Sequence, residues 1–156
     1  AVCILLYCLG ARLNEGRWLR PKDITLTKNR VGEERLMVSL FTEKNPHIER
    51  RTIPLNPFKE KEYCAIILKW KESFDEESHP LRSITERTIQ RHIRKALDIH
   101  PHALRHLRVH HVDDQEIPGM KALTPRQFKD FFGWELIETS AHYQSRTRGK
   151  DLIELV

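Results

Sequence analysis

With three cysteines in 156 residues, six glycines and no apolar run approaching the length of a bilayer span, the chain lacks the marks of several protein classes. Cys3, Cys8 and Cys64 are odd in number and lie in apolar, helix-like stretches, which argues against a disulfide framework and for a reducing, intracellular setting. The opening run Ala1 to Leu9 is too short to cross a membrane and has no basic region before it, so it reads as a buried helix. Because this run begins without a capping residue, we expect that the sequence starts inside a longer protein. Low-complexity segments and internal repeats are absent, which excludes fibrous and solenoid architectures. Acidic excess is absent too. Twenty-seven Lys and Arg outweigh 22 Asp and Glu to give a net charge of +5, with nine histidines besides, a balance suited to a polyanion such as nucleic acid.

What is present reads as one α+β domain, mostly helical with a small three-stranded antiparallel sheet. A second short helix is expected over Arg12 to Leu19, stopped by Pro21. Three β-prone runs follow, 23–27, 35–41 and 50–55, separated by turn-forming segments. From Phe58 to Phe74 the residues Tyr63, Ile66, Ile67, Trp70 and Phe74 recur at helical spacing and are expected to face the core. Ser83-Ile84-Thr85-Glu86 reads as a capping box opening a helix with Ile89, Ile93, Ala96 and Leu97 on one face and Arg87, Arg91, Arg94 and Lys95 elsewhere, a basic side suited to a DNA backbone. Pro101 should begin a helix running to about Asp113, with Leu104, Leu107 and Val112 turned inward. Thr124-Pro125-Arg126-Gln127 should open another that Gly133 closes.

The residues with most chemical content are His102 and Arg105, three apart and therefore on one helical face. A guanidinium donates in a planar fork to two phosphate oxygens, and an imidazole beside it moves protons near neutral pH. Either a phosphate-handling site or a basic helix lying on DNA without chemistry is compatible with this pair alone. Four further features are ordered around it. Arg12-Leu13-Asn14-Glu15 follows an apolar helix; Lys44 lies in a hairpin ending at Ile53-Pro54-Leu55; Gly133-Trp134 ends a capped helix; and Tyr143 stands nine residues after Trp134.

In this order the features resemble the catalytic domain of tyrosine recombinases, the phage-integrase family, over nearly all of residues 1–156. The phrases Phe131-Phe132-Gly133-Trp134 and Arg105-His106-Leu107-Arg108 look most like integrases of archaeal viruses and plasmids. The resemblance implies a DNA-cleaving and rejoining domain whose upstream DNA-binding domain is missing, working without metal or cofactor as a tetramer on double-stranded DNA, monomeric in solution and not in a membrane. Tyr143 would be the nucleophile, Arg12 and Arg105 the phosphate clamp, His102 the proton-exchanging base and Lys44 the acid at the leaving oxygen. Trp134 would donate its indole N–H or buttress the site. Glu15 would fix the Arg12 turn. The sequence departs from the pattern at Leu107, where the family carries Thr or Ser, and in a longer stretch from Asp113 to Thr124. Lys28, in the neighbouring hairpin, rivals Lys44.

Other readings of the same residues remain open here. A topoisomerase-like enzyme would share the chemistry without strand exchange. A DNA-binding module could use Thr124–Gly133 and the Tyr143 segment as a helix-turn-helix, leaving the ordered Arg12, His102, Arg105 and Tyr143 unexplained. His102, His106, His110 and His111 invite a zinc site, but no Cys pair or His-Glu-x-x-His accompanies them. The apolar tail, Leu152, Ile153, Leu155 and Val156, is expected to dock on a neighbouring subunit or on its own domain.

Overall fold

A computed structural model describes residues 1–44, 49–117, 121–136 and 138–139. The chain runs α1 (Val2–Cys8), α2 (Leu13–Arg17), a 3₁₀ turn (Pro21–Asp23), β1 (Ile24–Lys28), β2 (Glu34–Phe41), β3 (Arg50–Leu55), α3 (Lys61–Glu72), α4 (Glu86–Leu97), α5 (Pro101–Asp113) and α6 (Pro125–Phe132). The expected α+β class is the one observed.

The strands form an antiparallel meander in the order β1-β2-β3, with Ile24 opposite Val38 and Val38 opposite Ile53. Strand periodicity sends Leu36, Val38 and Leu40 of β2, and Arg51, Ile53 and Leu55 of β3, to the covered face. Pro54 is tolerated because β3 is an edge strand and needs no ladder donor on its outer side. Against this face and one another pack Leu5, Leu6 and Leu9 from the α1 segment, Cys64, Ile67 and Trp70 of α3, Leu104, Val109 and Val112 of α5, and three phenylalanines of α6. Each large apolar side chain so buried contributes about 1.5–3 kcal/mol. No helix among the described residues is long and apolar enough to cross a membrane.

Helix ends follow local chemistry. Thr124 and Gln127 cap α6 reciprocally, Thr124 Oγ1 accepting from the Gln127 amide at 3.2 Å and Gln127 Oε1 from the Thr124 amide at 2.9 Å. Gly133 ends that helix in the left-handed region, φ +66°.

Several sequence expectations are corrected. The cap of α4 is Thr85, whose Oγ1 accepts from the Thr88 amide, while Ser83 sits in the preceding turn and donates to the Pro80 carbonyl. Only Ile89 and Ile93 of α4 are buried. Its last turn reaches past the covered surface, leaving Ala96 and Leu97 exposed. Ile67 and Trp70 of α3 are buried as expected and Cys64 joins them, while Tyr63 and Ile66, and Phe74 just past the helix end, lie at the surface. Leu107 is exposed, while Arg105 and Arg108 turn inward and are almost wholly buried. The second helix is shorter than 12–19, with Arg12 as its N-cap and Trp18 as its C-cap.

A candidate phosphate site organised by a buried carboxylate

The N-terminal turn of α2 builds the centre of the site. Glu15, at the third helical position, reaches back so that Oε2 accepts the Arg12 amide at 2.8 Å, satisfying a donor that the helix start leaves unpaired. This geometry drives the Glu15 carboxylate into the interior, where it is fully buried. A buried charge persists only with partners. Three guanidiniums supply them: Arg51 binds both oxygens, at 3.0 and 3.1 Å, Arg12 Nη1 lies 3.0 Å from Oε1, and Arg105 Nη1 lies 3.9 Å from Oε2. Burial alone would push the Glu15 carboxyl up, but the Arg51 charge and hydrogen bonds, the Arg105 charge and the Arg12 amide outweigh it and hold Glu15 below the ordinary carboxylate range.

The site gathers segments distant in sequence. Arg105, on α5, donates from Nη1 to the Gly10 carbonyl just after α1, and from Nη2 to the Phe132 carbonyl at 2.7 Å. It thereby ties the end of α6, and the Gly133-Trp134 turn, to the first helix. The β2–β3 hairpin is held through Glu43, whose amide donates to Glu15 Oε1 at 3.0 Å and whose carbonyl accepts from Arg12 Nη1 at 3.0 Å. Both backbone groups next to Lys44 are thus fixed on the α2 turn. Lys44 itself is exposed with φ +62°, in the left-handed region that a non-glycine residue rarely adopts. Lys28, in contrast, pairs with Glu34 at the far end of β2, about 26 Å along the strand from Thr42.

His102 lies one turn before Arg105 on α5, solvent-exposed, with its ring edge-to-face on His106 at 4.4 Å between centroids. Partial desolvation, then the positive fields of His106, Arg105, Arg12 and His100, push its pKa below the ordinary histidine value. His102 is therefore neutral at physiological pH, the form able to accept a proton. The Trp134 ring is buried, stacked on Phe132 at 5.2 Å and near Phe128 at 5.5 Å, the packing of a core aromatic that braces the turn. Tyr143 and the tail residues Leu152 to Val156 lie outside the described residues. Arg87, Arg91, Arg94 and Lys95 are exposed on α4. The three arginines, with Gln90, His100 and Pro101, line a cleft of about 330 Å³.

The sequence pattern singled out neither Arg51 nor the pair Arg108 and Glu60. Arg51 had a legible signal, since Arg51, Ile53 and Leu55 alternate on the inward side of β3. Arg108 binds Glu60 through two contacts, of 2.5 and 3.2 Å, pinning α5 to the start of α3.

No family model and no curated protein matches this sequence. Among solved structures, the fold is similar to that of a XerH site-specific recombinase bound to palindromic difH substrate in a post-cleavage complex, with a TM-score of 0.63 and 17% identity, covering 97% of this chain and 44% of that one. It is similar as well to a pre-cleavage complex of XerH with difH, with a TM-score of 0.59 and 18% identity over 91% of this chain and 41% of that chain. This chain thus spans less than half the length of the recombinase it resembles. At such identity the likeness is one of architecture, and the architecture is the tyrosine recombinase catalytic-domain fold.

Proposed function

We propose that this chain is the strand-cleaving and rejoining domain of a tyrosine site-specific recombinase acting on double-stranded DNA, serving integration in a mobile element of an archaeal virus or plasmid. The observation that carries the reading is the convergence of Arg12 and Arg105 on buried Glu15, with His102 one turn away, inside a recombinase fold. Two guanidiniums offset the negative charge that builds on a phosphodiester in its pentacoordinate transition state, so the chemistry is metal-independent and needs no cofactor. Tyr143 Oη attacks the scissile phosphorus and its proton passes to His102. The bond to the 5′ oxygen breaks, and that oxygen takes a proton from Lys44. A 3′-phosphotyrosyl linkage and a free 5′-hydroxyl result, and the reverse attack by a 5′-hydroxyl restores the duplex and the tyrosine. The double tether at Glu43 favours Lys44 over Lys28 as the acid. Trp134 supports the turn leading toward Tyr143. The exposed arginines of α4 bind the DNA backbone, and the working assembly is a tetramer on two duplexes.

Incubation with a nicked suicide duplex, in which the cleaved 5′ fragment diffuses away, tests the nucleophile. A denaturation-resistant protein–DNA adduct is expected with and without EDTA, and it should vanish in Tyr143→Phe while DNA affinity is kept. An active Tyr143→Phe, or cleavage that stops with chelator and returns with added metal, overturns the assignment.

A further inference from the structure

Arg51 touches three of the segments that meet at the site. It contacts both oxygens of Glu15, its Nη2 is 3.5 Å from the Gly10 carbonyl that Arg105 also binds, and its Nη1 lies where a side chain at Gly133 would have to go. It is buried, and its two terminal nitrogens are taken up by Glu15 and the Gly10 carbonyl. The charge arithmetic around Glu15 defines its role. One carboxylate faces three guanidiniums, and Arg51 occupies it in the bidentate fork, the strongest form of that interaction. Arg12 uses only Nη1 on Glu15 and on the Glu43 carbonyl, leaving its Nε and Nη2 without partners among the described residues, whereas Arg105 donates to the Gly10 and Phe132 carbonyls.

We infer that Arg51 is a positioning residue that, by taking Glu15 in the fork, limits the Arg12 guanidinium to a single Nη1 contact there and keeps its Nε and Nη2 for a phosphate, while registering the Lys44 hairpin on the α2 turn. The inference rests on the recombinase reading for the identity of the phosphate, a DNA diester, but the arrangement predicts anion binding whether or not the chain cleaves DNA. Without Arg51 the buried carboxylate would lose its bidentate partner, and Arg12, already 3.0 Å from Oε1, is the cation able to turn its remaining nitrogens onto it. Removing the Glu15 charge as well should release Arg12.

Two measurements on the full chain separate this inference from the function it rests on. In the first, thermal melts with and without inorganic phosphate should show a phosphate-dependent rise in Tm for the parent that is lost in an Arg12→Ala control, lost in Arg51→Met, and regained in Arg51→Met/Glu15→Gln. In the second, single-turnover adduct formation at saturating DNA should fall at least roughly 30-fold in Arg51→Met with duplex Kd changed less than about threefold. Arg51→Lys should lie between, and the double variant should recover about fivefold or more over Arg51→Met. A phosphate response in Arg51→Met equal to the parent's, no response in the parent, or a double variant no better than the single in the melts overturns the inference. If Arg51→Met does not fold, the same comparison between Arg51→Lys and Arg51→Lys/Glu15→Gln decides it. If the phosphate pattern holds but no adduct forms with the parent, the recombinase reading fails and the positioning role stands.

Discussion

Gly133 lies against Arg51 so closely that a Cβ there would come within 2.7 Å of Arg51 Nη1 and 2.8 Å of Thr42 Cγ2. Its φ of +66° adds a cost of about 1 kcal/mol for any L side chain. Gly133→Ala should therefore destabilise by about 2–3 kcal/mol in urea titrations, with Arg51 displaced. An alanine variant as stable as the parent would mean that the α6 turn yields easily and does not brace Arg51.

Acid should destabilise the domain through Glu15. Glu15 titrates below its ordinary value in the folded chain, so its contribution is fully present above about pH 4.3 and is lost as pH falls through the folded value. Urea midpoints measured from pH 7 to pH 3 should fall more steeply in the parent than in Glu15→Gln. That variant should itself lose about 3–5 kcal/mol at pH 7, the scale of breaking a buried ion pair.

The His102 ring should titrate below 6.5 when its proton signals are followed by NMR. Removing the neighbouring positive field with His106→Ala should move the midpoint upward. Under the recombinase reading, the acid limb of the cleavage profile should follow the same midpoint in both proteins. A limb unmoved when the midpoint moves would detach His102 from proton transfer.

Cys8 and Cys64 should be inert thiols. Burial pushes them up to about 12 and about 11, so at pH 8 only about one Cys8 in 10,000 is ionised at any moment. Ellman's reagent should modify the half-buried Cys3 first and reach the other two only in denaturant.

For α4, the triple variant Arg87→Ala/Arg91→Ala/Arg94→Ala should flatten the dependence of duplex affinity on salt by about 2–3 units of log–log slope. An unchanged slope would make this face ordinary solvated surface.

The sheet, its order and the α5 and α6 boundaries were readable because strand alternation, Pro101 and the Thr124 box are local signals. The site was readable only in part. Glu15 was expected to fix the Arg12 turn, and the observed hydrogen bond from the Arg12 amide is local chemistry across three residues. Arg51 was legible only in part: alternation with Ile53 and Leu55 turns it inward, but a charge inside a β-prone run reads as solvent-facing until its partner, 36 positions away, is known. The burial of Arg108 could not be read from the sequence, its neutralising Glu60 being 48 positions distant. Ala96, Leu97 and Leu107 were expected inside because helical periodicity defines a stripe but not how far the neighbouring elements extend to cover it.

The carbonyl of Gly10 receives Arg105 from 95 residues further along the chain and Arg51 from 41. Nearby, the Tyr7 hydroxyl meets His111 Nδ1 at 2.6 Å across 104 residues. The first helix therefore cannot fray away as an independent unit. Opening it would strip two guanidiniums of an acceptor and uncover the phenylalanine cluster of α6, so amide exchange at Leu9 to Ala11 should proceed only through global unfolding. In that sense the same carbonyl that helps arrange the site makes one end of the described chain a reporter of the other, and a melt followed at α1 would coincide with one followed at Trp134.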